Sequence, residues 1–476
     1  MVTAVLPGPR PVKWCSVPLS EVRNRKLRLE AGVYDVEGRS ARERVISSPH
    51  GWTPLGGPNG LVDAWVGSRF KRIWTDSDGI PIYQPSAITE VLPEPDGFLS
   101  SKTETDLEGL RVHSGQILLT CSGTVGKTGL VSKTLDGQVF SHDLLRLSCR
   151  NPLETGFVYA FLKSRVGQLL VGANQYGAVI THIEPEHLAS IPVPKALENV
   201  KQRIHEAILR SYALRDESNA LVTRARTLLA EALTLPPLAA FPEYCKRTDY
   251  LPQTYSVHLK DLDGRFDCSS HLPLARAIEK HLLAHAAEVT NIGDTRVSKK
   301  IILPGRFKRV YVDEGNGRIF IGGKQLGEID PSNKKYLSIL HHEKRIDEQL
   351  TIRKDMTLVT CSGTIGRVAL VGRHWDGWTA SQHILRIVPS SREISGYLNV
   401  WLSSEWARPL IVRHSFGAVI DEISDIQLAS VPVPLLSDSA IQAEINELAL
   451  TASSKRSEAY DLEQSALRTM ETEVLS

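Results

Sequence analysis

The chain spells the same block twice at one fixed offset, and this constrains its fold more than any other feature. TCSGTVGK begins at Thr120 and TCSGTIGR at Thr360, GAVI begins at Gly177 and again at Gly417, and LASIPVP at Leu188 returns as LASVPVP at Leu428. An offset of 240 aligns all three pairs without a gap, and across 118–194 roughly 29 of 77 positions match their partners. The likeness runs on with small shifts: Ser16-Val17 answers Ser256-Val257, RFKRI from Arg69 answers RFKRV from Arg306, and Ile204 and Glu206 answer Ile445 and Glu447. Copies this long are duplicated domains, because a solenoid repeats every ~20–50 residues.

Each copy divides in two. The first part carries strand signals separated by glycine turns: ILLT from Ile117, GLVS from Gly129 and LLRL from Leu144. A short helix is expected to follow, from Gly156 and from Gly396, and the globular part is expected to end at the PVP tripeptides 192–194 and 432–434, where proline stops regular pairing. The second part reads as a long helix. Apolar or small residues recur at alternating spacings of four and three: Val200, Ile204, Ala207, Ser211, Leu214, Ser218, Leu221, Ala225, Leu228 and Ala232. The C-terminal segment repeats the pattern with Ile441, Ile445, Leu448, Ala452, Lys455, Ala459, Leu462 and Ala466. A heptad with a small-residue seam lets two helices approach closely, and about 35 residues span roughly 50 Å. The two helices are expected to pair with each other as a spacer; the bland alternative packs each onto its own domain.

Composition narrows the function. At 476 residues with 42% hydrophobic content the chain is an ordinary folded protein of several domains, with no run long enough to cross a bilayer. Prolines 7, 9 and 11 interrupt the start before a signal-peptide core forms, so a cytoplasmic location is expected. Six cysteines without a CxxC pair exclude a zinc ribbon. With 56 Lys plus Arg against 54 Asp plus Glu the net charge is +2, so binding to nucleic acid requires the basic residues to gather on one face.

The segment CSGTVGKT at 121–128 nearly spells a phosphate-binding loop, but Cys121 stands where the first glycine is needed. Its copy, CSGTIGRV at 361–368, loses both the lysine and the hydroxyl, so what the two share is a turn between strands. No HExxH, GxSxG, dinucleotide-type glycine loop or Asn/Asp-Pro-Pro-aromatic tetrapeptide occurs. His142, His182 and His383 have no histidine at their repeat positions and read as packed or surface residues. The positive signal is basic: Arg69, Lys71 and Arg72 recur as Arg306, Lys308 and Arg309, and Lys127 recurs as Arg367. Alternate residues of a strand share a face, so Arg69 with Lys71, and Arg306 with Lys308, are expected to line a phosphate track.

The ordered set is an Arg-x-Asp/Glu element (RLEA from Arg28, RFDC from Arg265), SGTVG or SGTIG, then SHDLLRL or SQHILRI. It continues through a Gly-aromatic helix, YGAVI or FGAVI, PVP and a long helix. Occurring twice over nearly the whole chain, this set resembles the specificity subunit of type I restriction–modification systems. The resemblance implies an α+β fold of two mixed α/β target-recognition domains, 1–196 and 237–436, with spacer helices 197–236 and 437–476 pairing as an antiparallel coiled coil about a pseudo-two-fold axis. It implies a non-catalytic reader of a bipartite, asymmetric site in double-stranded DNA. Two DNA methyltransferase subunits, which bring S-adenosylmethionine, would be positioned on it, and restriction–translocase subunits could join them; the chain itself needs no cofactor or metal. Phosphate contacts are assigned to Arg69, Lys71, Arg72, Lys127, Arg306, Lys308, Arg309 and Arg367, and base readers to the divergent stretches 33–66, 84–114 and 322–350. The competing readings are an enzyme of a defence system, either a nucleotide hydrolase using Lys127 or a nuclease with a dispersed site, and a duplicated scaffold without DNA affinity.

Overall fold

The computed structural model describes residues 14–24, 27–76, 78–177, 180–244, 254–262, 264–417 and 419–476. The proline-broken start at 1–13 and Ala178, Val179 and Ala418 of the repeated GAVI blocks lie outside the described residues. Among the described residues no helix is long and apolar enough to cross a membrane.

Among the described residues each half contributes ten strands. In the first these are β1 (Trp52–Pro54), β2 (Val62–Val66), β3 (Trp74–Thr75), β4 (Ile80–Tyr83) and β5 (Gly97–Leu99). They continue with β6 (Ile117–Thr120), β7 (Thr128–Leu130), β8 (Val139–Phe140), β9 (Leu144–Cys149) and β10 (Pro192–Pro194). The second half begins with β11 (Glu288–Asn291), β12 (Ser298–Ile302), β13 (Tyr311–Val312), β14 (Gly317–Ile321) and β15 (Lys335–Ser338). It ends with β16 (Thr357–Thr360), β17 (Val368–Leu370), β18 (Thr379–Ala380), β19 (Ile384–Pro389) and β20 (Pro432–Leu435).

The sheets of the first half run β2-β9-β6-β7, β3-β5-β4-β8 and β1-β10, and those of the second run β12-β19-β16-β17, β13-β15-β14-β18 and β11-β20. Adding ten to every strand number converts one set into the other. Even the parallel pairing of β4 with β8 recurs as that of β14 with β18. The duplication expected from the sequence is therefore a duplication of topology.

Three local expectations need correction. The PVP tripeptides do not stop pairing: Val193 sits opposite Thr53, and Val433 opposite Thr290, in two-stranded antiparallel ladders. Prolines are tolerated there because a two-stranded ladder leaves one edge of each strand without a neighbour to receive an N–H. The single short helix is two, Thr155–Lys163 and Arg165–Ala173, broken at Ser164, whose hydroxyl accepts from the Gly167 N–H at 3.1 Å. The basic runs at 69–72 and 306–309 lie in irregular connections, not in strands, so strand alternation does not order their side chains.

The long helices are Glu198–Ala232 and Ser439–Thr469. They pack antiparallel: Glu217 pairs with Lys455 at 2.6 Å, Arg203 pairs with Glu473, and the buried Ser211 hydroxyl donates to the Ala459 carbonyl at 2.7 Å. The small-residue seam is real, with Ser211, Ser218, Ala225, Ala452, Ala459 and Ala466 all buried. The helices are more than a spacer, however, and the bland alternative also holds. Val200, Ile204 and Ile208 of the first helix join Ala466, Met470 and Val474 in the core of the first half. Ala225, Leu228 and Leu229 join Ile445 and Ala449 in the core of the second. Each core is thus closed by the beginning of one long helix and the end of the other.

Contact is closest where glycine permits it. A Cβ on Gly156 would meet the His205 backbone at 2.7 Å, and one on Gly396 would meet the Asn446 carbonyl oxygen at 2.4 Å. That requirement explains why both copies keep glycine ahead of the aromatic residue.

Candidate nucleic-acid interface

In each half the shared motifs fold into one loop platform. The Thr120 hydroxyl donates to the Thr124 carbonyl at 2.5 Å and accepts from the Lys127 N–H at 3.0 Å; Thr360 does the same with Thr364 at 2.5 Å and Arg367 at 2.9 Å. The turns between can close because Gly123, Gly126, Gly363 and Gly366 all have positive φ, from +72° to +100°.

The second repeated turn is welded beside the first. Tyr176 and His182 exchange backbone hydrogen bonds of 2.8 and 2.7 Å, and Gly123 donates to the Thr181 carbonyl at 3.0 Å. In the second half Phe416 and Glu422 exchange bonds of 2.9 and 2.7 Å, and Gly363 donates to the Asp421 carbonyl at 3.0 Å.

The basic runs come to this platform. Arg72 donates to the Ser141 hydroxyl at 3.1 Å, while Arg309 donates to the Gln382 side chain at 2.9 Å. Arg306 pairs with Glu422 at 2.7 Å, and its side chain remains 78% exposed. Lys71 and Lys308 are exposed, as is Arg69, and among the described residues none of the three has a carboxylate within ion-pair distance. Burial pushes the His142 ring down, with Asp143 pulling it up and Arg72 and Arg69 pushing it down further.

Lys127 and Arg367 are placed differently. Lys127 Nζ lies 3.3 Å from Glu328 Oε1 of the second half, and Arg367 Nη2 lies 3.3 Å from Glu90 Oε1 of the first. Between these two pairs the Val91 N–H donates to the Gly327 carbonyl at 2.9 Å. The two halves therefore touch directly about the pseudo-two-fold axis. Parts of the divergent stretches 84–114 and 322–350 form this junction. The 121–126 turn also opens onto strand β7, whereas a phosphate-binding loop opens onto a helix N-terminus.

The sequence reading missed the residue that pins the loop between β8 and β9, and its copy between β18 and β19. Arg146 and Arg386 are both 0% exposed. Arg146 donates to the carbonyls of Leu110 at 2.9 Å, Leu144 at 3.2 Å and Phe140 at 3.2 Å. Arg386 donates to those of Ser381 at 3.0 Å and Leu350 at 3.3 Å, and to Ile384 and Ala380. Burial pushes the guanidiniums down, to about 10 and about 9, which leaves both cationic at neutral pH. The signal was present: an arginine recurs inside an otherwise apolar strand, at the same place in LLRL and ILRI.

No protein-family model and no curated protein matches the chain. Among solved structures, the type I restriction–modification S subunit from M. genitalium is similar at 13% identity, with 88% of this chain and 98% of that chain covered and a TM-score of 0.36. A chain from a structure described for complex assembly and conformational transition of the type I R-M system is 15% identical, with coverages of 88% and 96% and a TM-score of 0.28. The HsdS subunit from Thermoanaerobacter tengcongensis is 15% identical, with coverages of 89% and 99% and a TM-score of 0.27.

Proposed function

We propose that this chain is a DNA-specificity subunit of a type I restriction–modification system, a non-catalytic reader of two different half-sites. One observation supports this above the rest: the same loop platform with the same basic run occurs twice, about an approximate two-fold axis, in one polypeptide. Dimeric repressors meet duplex DNA with that symmetry, each protomer on one half-site. Fusion frees the two halves to diverge, so the half-sites need not be palindromic.

The proposed readers are 1–196 and 237–436, held by helices 197–236 and 437–476. Arg69, Lys71, Arg72, Arg306, Lys308 and Arg309 are proposed as phosphate contacts, which position each reader without choosing bases. Lys127 and Arg367, expected with them, are proposed to act at the junction between halves. The partners are duplex DNA and two methyltransferase subunits, with restriction–translocase subunits joining in a complete system, all in the cytoplasm.

The test is binding of random-sequence duplex by the full chain, alone and with its methyltransferase subunit, at several salt concentrations. The double variant Lys308→Ala, Arg309→Ala is expected to bind every sequence more weakly and to lower the salt slope by about 2, at roughly 0.9 per phosphate. An unchanged slope removes these two residues from the interface. Absence of wild-type binding at low salt, with and without the partner, overturns the DNA reading.

A further inference from the structure

We propose that Arg226 and Arg456 hold a small oxyanion, phosphate or sulfate, where the two long helices meet the helix Arg392–Leu402. The proposal stands apart from the DNA reading and survives or fails on its own.

The duplication shows what is missing there. At one end of the helix pair the Glu463 carboxylate gathers Tyr159, Lys163 and Arg215. The alignment of the two copies carries Tyr159 to Asn399, Lys163 to Ser403, Arg215 to Arg456 and Glu463 to Val222. The arginine is kept and the carboxylate is lost. Arg226, one helical turn beyond Val222 on the same face, adds a second cation where the other copy has Leu467.

The protein supplies these cations with neutral partners only. Arg456 Nε donates to the Ser218 hydroxyl at 2.9 Å and its Nη2 to Asn219 Oδ1 at 3.4 Å, while Arg226 Nη2 donates to the Ser403 carbonyl at 3.1 Å. Among the described residues neither arginine has a carboxylate within ion-pair distance. The charged neighbours are engaged elsewhere: Glu94 pairs with Arg408 at 3.9 Å, Asp461 with Arg373, and Lys455 with Glu217. Burial pushes the Glu405 carboxyl up, and burial with Arg456 holds His374 down at about 4, so that ring is neutral. Burial also pushes both guanidiniums down, Arg456 to about 10 with Arg226 pushing the same way, which leaves Arg456 cationic at neutral pH. Arg226 Nε and Asn399 Nδ2 are shut in without an acceptor, and Asn399 stands where Tyr159 donates to Glu463 in the other copy.

Like charges taken partly out of water are costly unless an anion joins them. Both arginines are only half-buried, so a solute can reach them. A guanidinium fork suits an oxyanion better than a halide, because two N–H groups meet two oxygens at once.

The test is thermal unfolding of the full chain in inorganic phosphate and in chloride at matched ionic strength, with equilibrium dialysis of labelled phosphate beside it. The wild-type midpoint is expected to rise saturably by roughly 3 °C in phosphate, as bound phosphate accumulates. The double variant Arg226→Met, Arg456→Met is expected to lose the rise and that bound phosphate. Lys308→Ala, Arg309→Ala should keep both, since those residues lie on the loop platform. Val222→Glu puts a carboxylate where the other copy has Glu463; its midpoint should rise without phosphate and no longer respond to it.

No rise in the wild type, or an equal rise in chloride, overturns the oxyanion and leaves the site to water. A rise that persists in the methionine double variant, or disappears in the platform variant, places the phosphate elsewhere and overturns the site. If the methionine variant does not fold, Val222→Glu decides, and an undiminished phosphate response in it overturns the proposal.

Discussion

Glu463→Ala is expected to lower the unfolding free energy by about 3–5 kcal/mol, the usual cost of stranding buried charge. Glu463 is 0% exposed in the second long helix. It accepts from the Tyr159 hydroxyl at 2.6 Å and from Lys163 at 2.8 Å, both in the first half, and pairs with Arg215 of the first long helix. Lys163 also reaches Asp330 of the second half at 3.5 Å. Removing the carboxylate leaves Arg215 without its ion-pair partner and Lys163 with Asp330 alone, at the place where both halves and both helices meet.

Denaturant unfolding should therefore move the transitions of both halves together. Burial pushes the Glu463 carboxyl up, but Lys163 and Arg215 more than offset this and hold it down at about 2. Its contribution is then complete above an unfolded carboxyl value of about 4.3 and is lost as pH falls toward 2. The gap between wild type and Glu463→Gln should narrow over that window. A loss under 1 kcal/mol for the alanine variant, about what an exposed pair would give, would show that the network is solvated.

Arg386→Met is expected to cost about 2–4 kcal/mol and to weaken DNA binding beyond what the unfolded fraction explains. The thioether side chain fills similar space but leaves the carbonyls around it without their shared donor. The loop those carbonyls belong to carries Gln382, which holds Arg309. Arg386→Lys should recover only part of either loss, because a single ammonium cannot fork to separated carbonyls as a planar guanidinium does. Measuring stability by urea and affinity by titration separates the two effects; a variant that loses stability but binds normally when folded would show that the loop does not need the pin.

The duplicated topology was legible because one offset aligned glycine turns, strands and helices at once: Gly123 and Gly363 mark positive-φ turns, and Gly156 and Gly396 mark close approaches that a Cβ would block. The helix seam was legible from spacing because Ser211, Ala225, Ala459 and Ala466 are buried wherever the heptad places them. Ion pairing was not. Lys127 and Glu328 are 201 residues apart and Arg367 and Glu90 are 277 apart, so a local reading sees only basic residues beside a turn.

The charged centre of the helix pair was hidden for a related reason. A search for apolar and small residues passes over Arg215 and Glu463, although burial of the pair makes them part of the same seam. PVP misled because proline opposes a central strand, while a two-stranded ladder needs little from the proline nitrogen.

The central claim is that one chain presents two related but different readers to DNA about an approximate two-fold axis. Footprinting of the full chain in its methyltransferase complex on selected duplexes tests it most directly. Two short protected blocks of different sequence, separated by base pairs whose identity does not matter, are the predicted result. A single contiguous block, or two halves of a palindrome, would contradict it.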